Sequence, residues 1–178
     1  MTLDELKKRV AAGEAFDYLF FWGHSQKDVL TKACFSQWYP ASFVVEGITY
    51  PTAEHWMMAE KARLFDDEKT LALILEAKSP KDAKSLGRKI KPFDHLKWEA
   101  CRFDAVVEGN MAKFGQNKDL LEFLLSTGDK VPVEASPNDA IWGIGMSESD
   151  PAAASPLTWS GINLLGFALM EVRARLRA

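Results

Sequence analysis

Two cysteines, no long apolar run and no surplus of positive charge are what this 178-residue sequence offers where many proteins offer more. Cys34 and Cys101 lie far apart and fit neither a CxxC nor a metal-ligand spacing, so no disulfide framework, metal or cofactor is expected. A reduced, cytoplasmic chain follows as the simplest expectation. No stretch approaches the roughly 18 consecutive apolar residues of a membrane span, and the opening MTLDELKKRVAAGEAF is amphipathic rather than leader-like. Neither secretion nor a membrane partner is expected. A formal charge of -3 argues against a protein that grips long duplex DNA through many phosphates, since that affinity comes mainly from Lys and Arg. Internal repeats and low-complexity linkers are absent as well, which leaves one domain, long enough to bury about two thirds of its unfolded surface.

What is present is an ordinary globular balance, 47% hydrophobic and 26% charged, with a generous six Trp and eleven Phe. Leu3, Leu6 and Val10 at helical spacing predict a short helix ending near Gly13, a helical extension over residues 1–15 ahead of the domain at 16–178. The run from Asp17 to Gly23 reads as a buried strand, and Phe43 to Tyr50 as a hairpin turning at Glu46-Gly47. Helices are predicted over 51–65, 69–77, from Ser79-Pro80 onward, over 95–114 with Asp94 as cap, over 118–126, and after Asn163 to the end. KVPVE, residues 130–134, alternates as a short strand that Pro132 confines to an edge. The segment 150–160 reads as an exposed connection. The fold class is α+β, mainly α-helical, with a few short strands.

The helix PTAEHWMMAEKARLF carries the sharpest anomaly. At about 100° per residue, Glu54, Met57, Met58, Lys61, Leu64 and Phe65 share one face, so a carboxylate and an amine sit in the apolar stripe. Seven residues separate them, roughly 10 Å along the axis, too far for a close pair. Each charge therefore needs another partner or faces a cavity. Two other stretches offer walls for one. In CFSQWYP, Ser36, Gln37 and Trp38 set polar groups among aromatics, though on composition alone a strand edge or turn with satisfied polar groups is the favoured reading. In ASPNDAIWGIG, Asp139 and Trp142 flank a glycine-containing turn, where an Asx-turn and a core-filling Trp are the plain structural reading. Lys81, Lys84, Arg88, Lys89 and Lys91 form a basic run that is either a solvated face or a local phosphate patch.

Five segments in order, TAEHWMMAEKA, SPKDAKSLGRKI, AKFGQNKDLLEFLLSTGD, VEASPNDAIWGIG and NLLGFALMEVR, closely resemble the NADAR family, over residue 16 to the C-terminus. The resemblance implies hydrolysis of the bond between ribose C1 and a base nitrogen. Two ligands are attached to that family: ADP-ribose on guanine bases, in nucleic acid or free nucleotide, and a phosphoribosylamino pyrimidine intermediate of riboflavin synthesis. A non-catalytic ADP-ribose or NAD-binding module is the alternative of a different class. Carried over by motif, the resemblance implies Glu54, Lys61 and Asp139 as catalytic residues. Ser36, Gln37, Trp38, Arg88, Trp98, Trp142, Gly143 and Asn163 are then expected at the substrate. Many members read S-N-F where this chain has Ser36-Gln37-Trp38, which moves the amide one methylene outward.

Overall fold

The computed structural model describes residues 1–177. Its core is assembled around one helix. Thr52, in extended backbone, caps α2 (Ala53–Leu64) by accepting a hydrogen bond from the His55 N–H, and the hairpin β2 (Phe43–Val45) and β3 (Ile48–Tyr50) delivers the chain to that cap. The hairpin turns at Glu46 and Gly47, both at positive φ. α2 is not the two-faced helix that periodicity suggests. Ala53, Trp56, Ala59 and Ala62 are as buried as Met57 and Met58, because α3 (Glu68–Glu76), α4 (Pro80–Gly87) and α5 (His95–Gln116) pack around it. A helix walled on several sides can bury Trp56 only if its N–H is satisfied, and Nε1 donates to the Ala105 carbonyl of α5 at 2.8 Å.

The other caps follow the sequence. Asp67, Ser79 and Asp94 accept backbone N–H groups at the starts of α3, α4 and α5, and Pro80 occupies the first turn of α4. α1 (Leu3–Ala11) opens on a reciprocal pair between Thr2 and Glu5. α6 (Lys118–Ser126) and α7 (Leu164–Arg177) complete the helices, and α7 buries Leu165, Ala168, Leu169 and Val172 against α5.

The expected strand at the aromatic run is β1 (Tyr18–Phe21), and it pairs in parallel with β4 (Val131–Glu134), Tyr18 opposite Val131 and Phe21 opposite Glu134. Both strands of a two-stranded sheet are edges, which accommodates Pro132. One turn is not anticipated by the sequence, and one loop expectation is corrected. Lys32–Phe35 is a single 3-10 turn, buried at Cys34 and Phe35. The 150–160 segment is not a wholly exposed connection: it forms two further 3-10 turns, and Ala153, Pro156 and Trp159 within it are buried. Ala153 and Trp159 help form a second apolar cluster with Leu6, Val131, Val133, Ile144 and Phe167, beside the main cluster around α2. Both cysteines are free, and among the described residues no helix is long and apolar enough to cross a membrane.

Candidate functional site

Parallel strands end together, and the carboxyl ends of β1 and β4 open beside the N-terminal turn of α2. There a cavity of about 160 Å³ is lined by Ser36, Gln37, Trp38, Glu54, Met57, Met58, Lys61, Lys84, Gly87, Arg88, Glu134, Asp139 and Trp142. An adjoining lobe of about 320 Å³ shares Ser36, Trp38, Lys84, Glu134 and Asp139 and adds Trp22, His24, Ser136 and Asn138. The inner part alone is below the roughly 300 Å³ typical of a site for a drug-sized ligand, so a nucleotide would have to extend into the outer lobe. A larger hollow of about 800 Å³ lies at the amino end of the sheet. There Arg9 pairs with Glu14 and Arg177 with Asp129.

Glu54 stands in the first turn of α2, 2% exposed, and its Oε1 has no hydrogen-bond partner. Burial pushes its pKa up to about 7; Lys84 opposes that rise, Asp139 adds to it, and Trp38 and Arg88 oppose it further. Its backbone N–H donates to the Gln37 carbonyl at 3.0 Å, which fastens the Ser36-Gln37-Trp38 turn to the start of the helix. The neighbouring His55 is not part of the cavity: its ring lies between Thr52 Oγ1 and the Ala77 carbonyl, at 2.8 and 3.1 Å.

Glu134 is the residue that sequence reasoning missed. It is the last residue of β4, its Oε2 is buried without a partner, and burial pushes its pKa up to about 8, with Asp139 and Glu54 adding to the rise and Lys84 opposing it. In the sequence it merely ends an alternating strand; only the pairing of β4 with β1 brings it to α2. Asp139 reaches the same space after using Oδ1 to accept the N–H groups of Ile141 and Trp142, at 2.9 and 2.8 Å. The Asx-turn and the site wall are thus one feature. Three carboxylates converge, and two of them lack partners.

Cations balance them. Lys84 of α4, half-buried, and Arg88 at its C-cap, exposed, line the cavity, while Lys81 and Lys89 of the same run lie outside its lining. Lys61 donates to the Gly87 carbonyl at 2.8 Å and sits 4.4 Å from the Phe93 ring centroid. Burial and Arg88 lower its pKa, and Glu54 opposes that fall. No ion pair within 4.0 Å joins Glu54 to Lys61 among the described residues, in keeping with their spacing along the helix.

Of the expected site residues, Ser36, Gln37, Trp38, Glu54, Lys61, Arg88, Asp139 and Trp142 come together. Trp98, Gly143 and Asn163 do not line the cavity. Trp98 stands a layer back, its ring 5.8 Å from Lys61 Nζ. Gly143 is buried, and the close packing requires glycine, since a Cβ there would meet the Glu134 carbonyl oxygen at 2.6 Å and that of Asp139 at 3.0 Å. Asn163, at φ 52° and fully buried, holds β4 from behind: its Oδ1 accepts the Glu134 N–H and its Nδ2 donates to the Pro132 carbonyl, both at 3.0 Å. These two set the position of Glu134 and Asp139 from outside the cavity.

Chemically, the arrangement joins carboxyls with raised pKa values, cations suited to phosphate and two indoles suited to stacking a base. A family model described as the NADAR domain matches residues 20–177. N-glycosidase R617 of Acanthamoeba polyphaga mimivirus is 42% identical over 165 residues, which cover 90% of this chain and 96% of that protein. The chloroplastic riboflavin biosynthesis protein PYRR of Zea mays is 34% identical over 135 residues, 72% of this chain and 20% of the maize protein. Among solved structures, the NMR structure of the E. coli protein YbiA matches with a TM-score of 0.73 at 31% identity, covering 92% of this chain and 88% of that one.

Proposed function

The chain belongs to the NADAR family, a hydrolase of N-glycosyl compounds by its kinship to named N-glycosidases, and we propose that it releases ADP-ribose from guanine bases. The observation that carries this reading is the pair Glu54 and Glu134, two buried carboxyls with partnerless oxygens, facing one cavity beside Lys84 and Arg88.

Breaking a ribose C1–N bond builds positive charge on the sugar and negative charge on the departing base. At neutral pH, Glu134, with a pKa near 8, is largely protonated and suits the acid that gives its proton to the base nitrogen. Glu54, with a pKa near 7, is ionised in a large fraction and suits the base that takes a proton from water as its oxygen bonds to C1. The negative charge of Asp139 helps raise both carboxyls and adds to the field that stabilises a cationic sugar. Lys84 and Arg88 then fit the diphosphate, and Trp38 and Trp142 the base. Lys61, donating to a carbonyl and resting on Phe93, fits a charged clamp better than a neutral amine that would form a Schiff base with the sugar aldehyde.

A second reading has one observation of its own, the maize relative named for riboflavin biosynthesis. Its substrate would be a phosphoribosylamino pyrimidine, and the small inner cavity accommodates a single pentose. Incubation with an oligonucleotide bearing ADP-ribosyl guanine and, separately, with the pyrimidine intermediate decides between them by released base and sugar. Release of ADP-ribose is expected. Turnover of the pyrimidine compound alone would overturn the proposal in favour of the second reading. No product from either, with ADP-ribose bound, would make the chain a binding module. A borohydride-trapped adduct lost in Lys61→Ala would restore the Schiff-base role.

A further inference from the structure

Gln37 has lost its freedom to flip. Asn110 of α5, fully buried, places Nδ2 at 2.8 Å from the Val106 carbonyl oxygen and at 2.8 Å from Gln37 Oε1. A carbonyl has only lone pairs to offer, so the Asn110 atom facing Val106 is its nitrogen; that nitrogen can only donate, so the Gln37 atom facing it is oxygen. Gln37 Nε2 is therefore the group left over. It is buried, has no partner, and belongs to a side chain 6% exposed that lines the inner cavity. Across the same cavity, Glu54 Oε1 and Glu134 Oε2 are buried acceptors without partners. Lys113, fully buried, keeps the turn in place by donating to the carbonyls of Cys34 and Ser36 at 2.6 and 2.9 Å.

A fixed donor and two fixed acceptors in a cavity of about 160 Å³ specify the group between them. A hydroxyl both accepts from an amide and gives its proton to a carboxylate, which neither a methylene nor a keto oxygen does. We infer that Gln37, aligned by Asn110, is a specificity-determining residue that reads the sugar 2-hydroxyl, so that the inner cavity accepts a ribose and rejects a 2-deoxyribose. This rests on the reading of the cavity as a ribose site and adds to it a residue pair and a direction of selectivity. The hydroxyl oxygen accepts from Gln37 Nε2, and its proton goes to a Glu54 or Glu134 oxygen. Removing it leaves buried polar groups unpaired on both sides, which discriminates far more strongly than a lost apolar contact.

Calorimetric titration of the intact protein with ribose 5-phosphate and with 2-deoxyribose 5-phosphate tests this without any turnover. The ribose compound is expected to bind at least about tenfold more tightly. In Gln37→Met, which keeps side-chain length but has no donor, the ratio is expected to fall close to one while the melting temperature holds. Asn110→Leu, which never touches the sugar, is expected to lower the ratio by releasing the amide. Equal affinities in the unaltered protein, no binding of either sugar phosphate, or an undiminished ratio in a folded Gln37→Met each overturn the inference. Should Gln37→Met fail to fold, the wild-type ratio and Asn110→Leu decide. Failure to release ADP-ribose from guanine leaves this ratio untouched, so the two assignments fail separately.

Discussion

Among the described residues, Glu54 and Glu134 differ from the other carboxylates in having no partner for a buried oxygen. Water would satisfy such an oxygen at the surface, and a salt bridge would satisfy it in most interiors. Here the fold supplies no such salt bridge, so burial leaves the groups with raised pKa values and free acceptors toward the cavity. Glu54→Gln and Glu134→Gln preserve shape and remove the titrating proton. Each is expected to lower kcat on the N-ribosyl substrate by about 10²- to 10⁴-fold, with KM changed far less. Steady-state kinetics checks this, and wild-type kcat in either variant would remove that residue from the acid-base pair. At this scale the sequence disclosed Glu54, because a carboxylate in an apolar stripe is a local anomaly. It did not disclose Glu134, whose company is set by residues about eighty positions away on α2.

Elements explain how side chains from four segments meet within one small space. α4 lies tightly on α2 at Gly87, where a Cβ would come 2.0 Å from Met58 Sδ, and the loop after β4 lies tightly on its own strand at Gly143. The two close contacts differ in what must yield. Met58 can swing its flexible side chain aside, whereas the Glu134 and Asp139 carbonyls near Gly143 belong to backbone that is itself hydrogen-bonded to Ile144 and Gly145. Gly143→Ala is therefore expected to cost about 1–3 kcal/mol and lower Tm by several degrees, with a matching loss of kcat as Glu134 and Asp139 move. Gly87→Ala should cost less, since Ala also favours the helix. Thermal melts of the two variants measure the difference, and an equal or reversed order would contradict this account of the loop.

Element boundaries were largely legible because caps are local chemistry: Thr52, Ser79-Pro80 and Asp94 each bond within three residues. The 3-10 turns at Lys32–Phe35 and 151–158 were not. Their short helical runs carry no periodicity, and only tertiary contact makes Cys34, Phe35 and Trp159 buried. The all-round burial of α2 was equally hidden, since periodicity reports which side chains are apolar and not how many neighbours surround a helix.

Across the whole molecule, the raised carboxyl pKa values make stability depend on pH. Glu54 and Glu134 start from an ordinary value of 4.5 and reach about 7 and about 8 in the folded chain, so the folded state holds more protons than the unfolded one through that window. Stability should fall as pH rises from about 4.5 to 8, at about 1.4 kcal/mol per pH unit for each proton the unfolded chain has lost and the folded one still holds. Buried Lys113 acts with the opposite sign. Burial lowers its pKa from 10.5 to about 7, so the unfolded state holds more protons above that pH and stability recovers as pH rises further. Urea titrations from pH 5 to 10 should show a minimum near pH 7 to 8. The double variant Glu54→Gln/Glu134→Gln should lose the falling limb and keep the rising one. A falling limb of unchanged depth in that variant would assign it to other groups.

The two apolar clusters also bear on how such a protein can change over time. The inner wall, with Met57, Met58 and Gly87, is anchored in the cluster around α2, while Glu134 extends from β4, whose Val131 and Val133 belong to the other cluster. Substitutions that repack one cluster need not disturb the other. A lineage can therefore retune one wall of the cavity while the opposite wall drifts, or the reverse, and alter what the cavity accepts without rebuilding the domain.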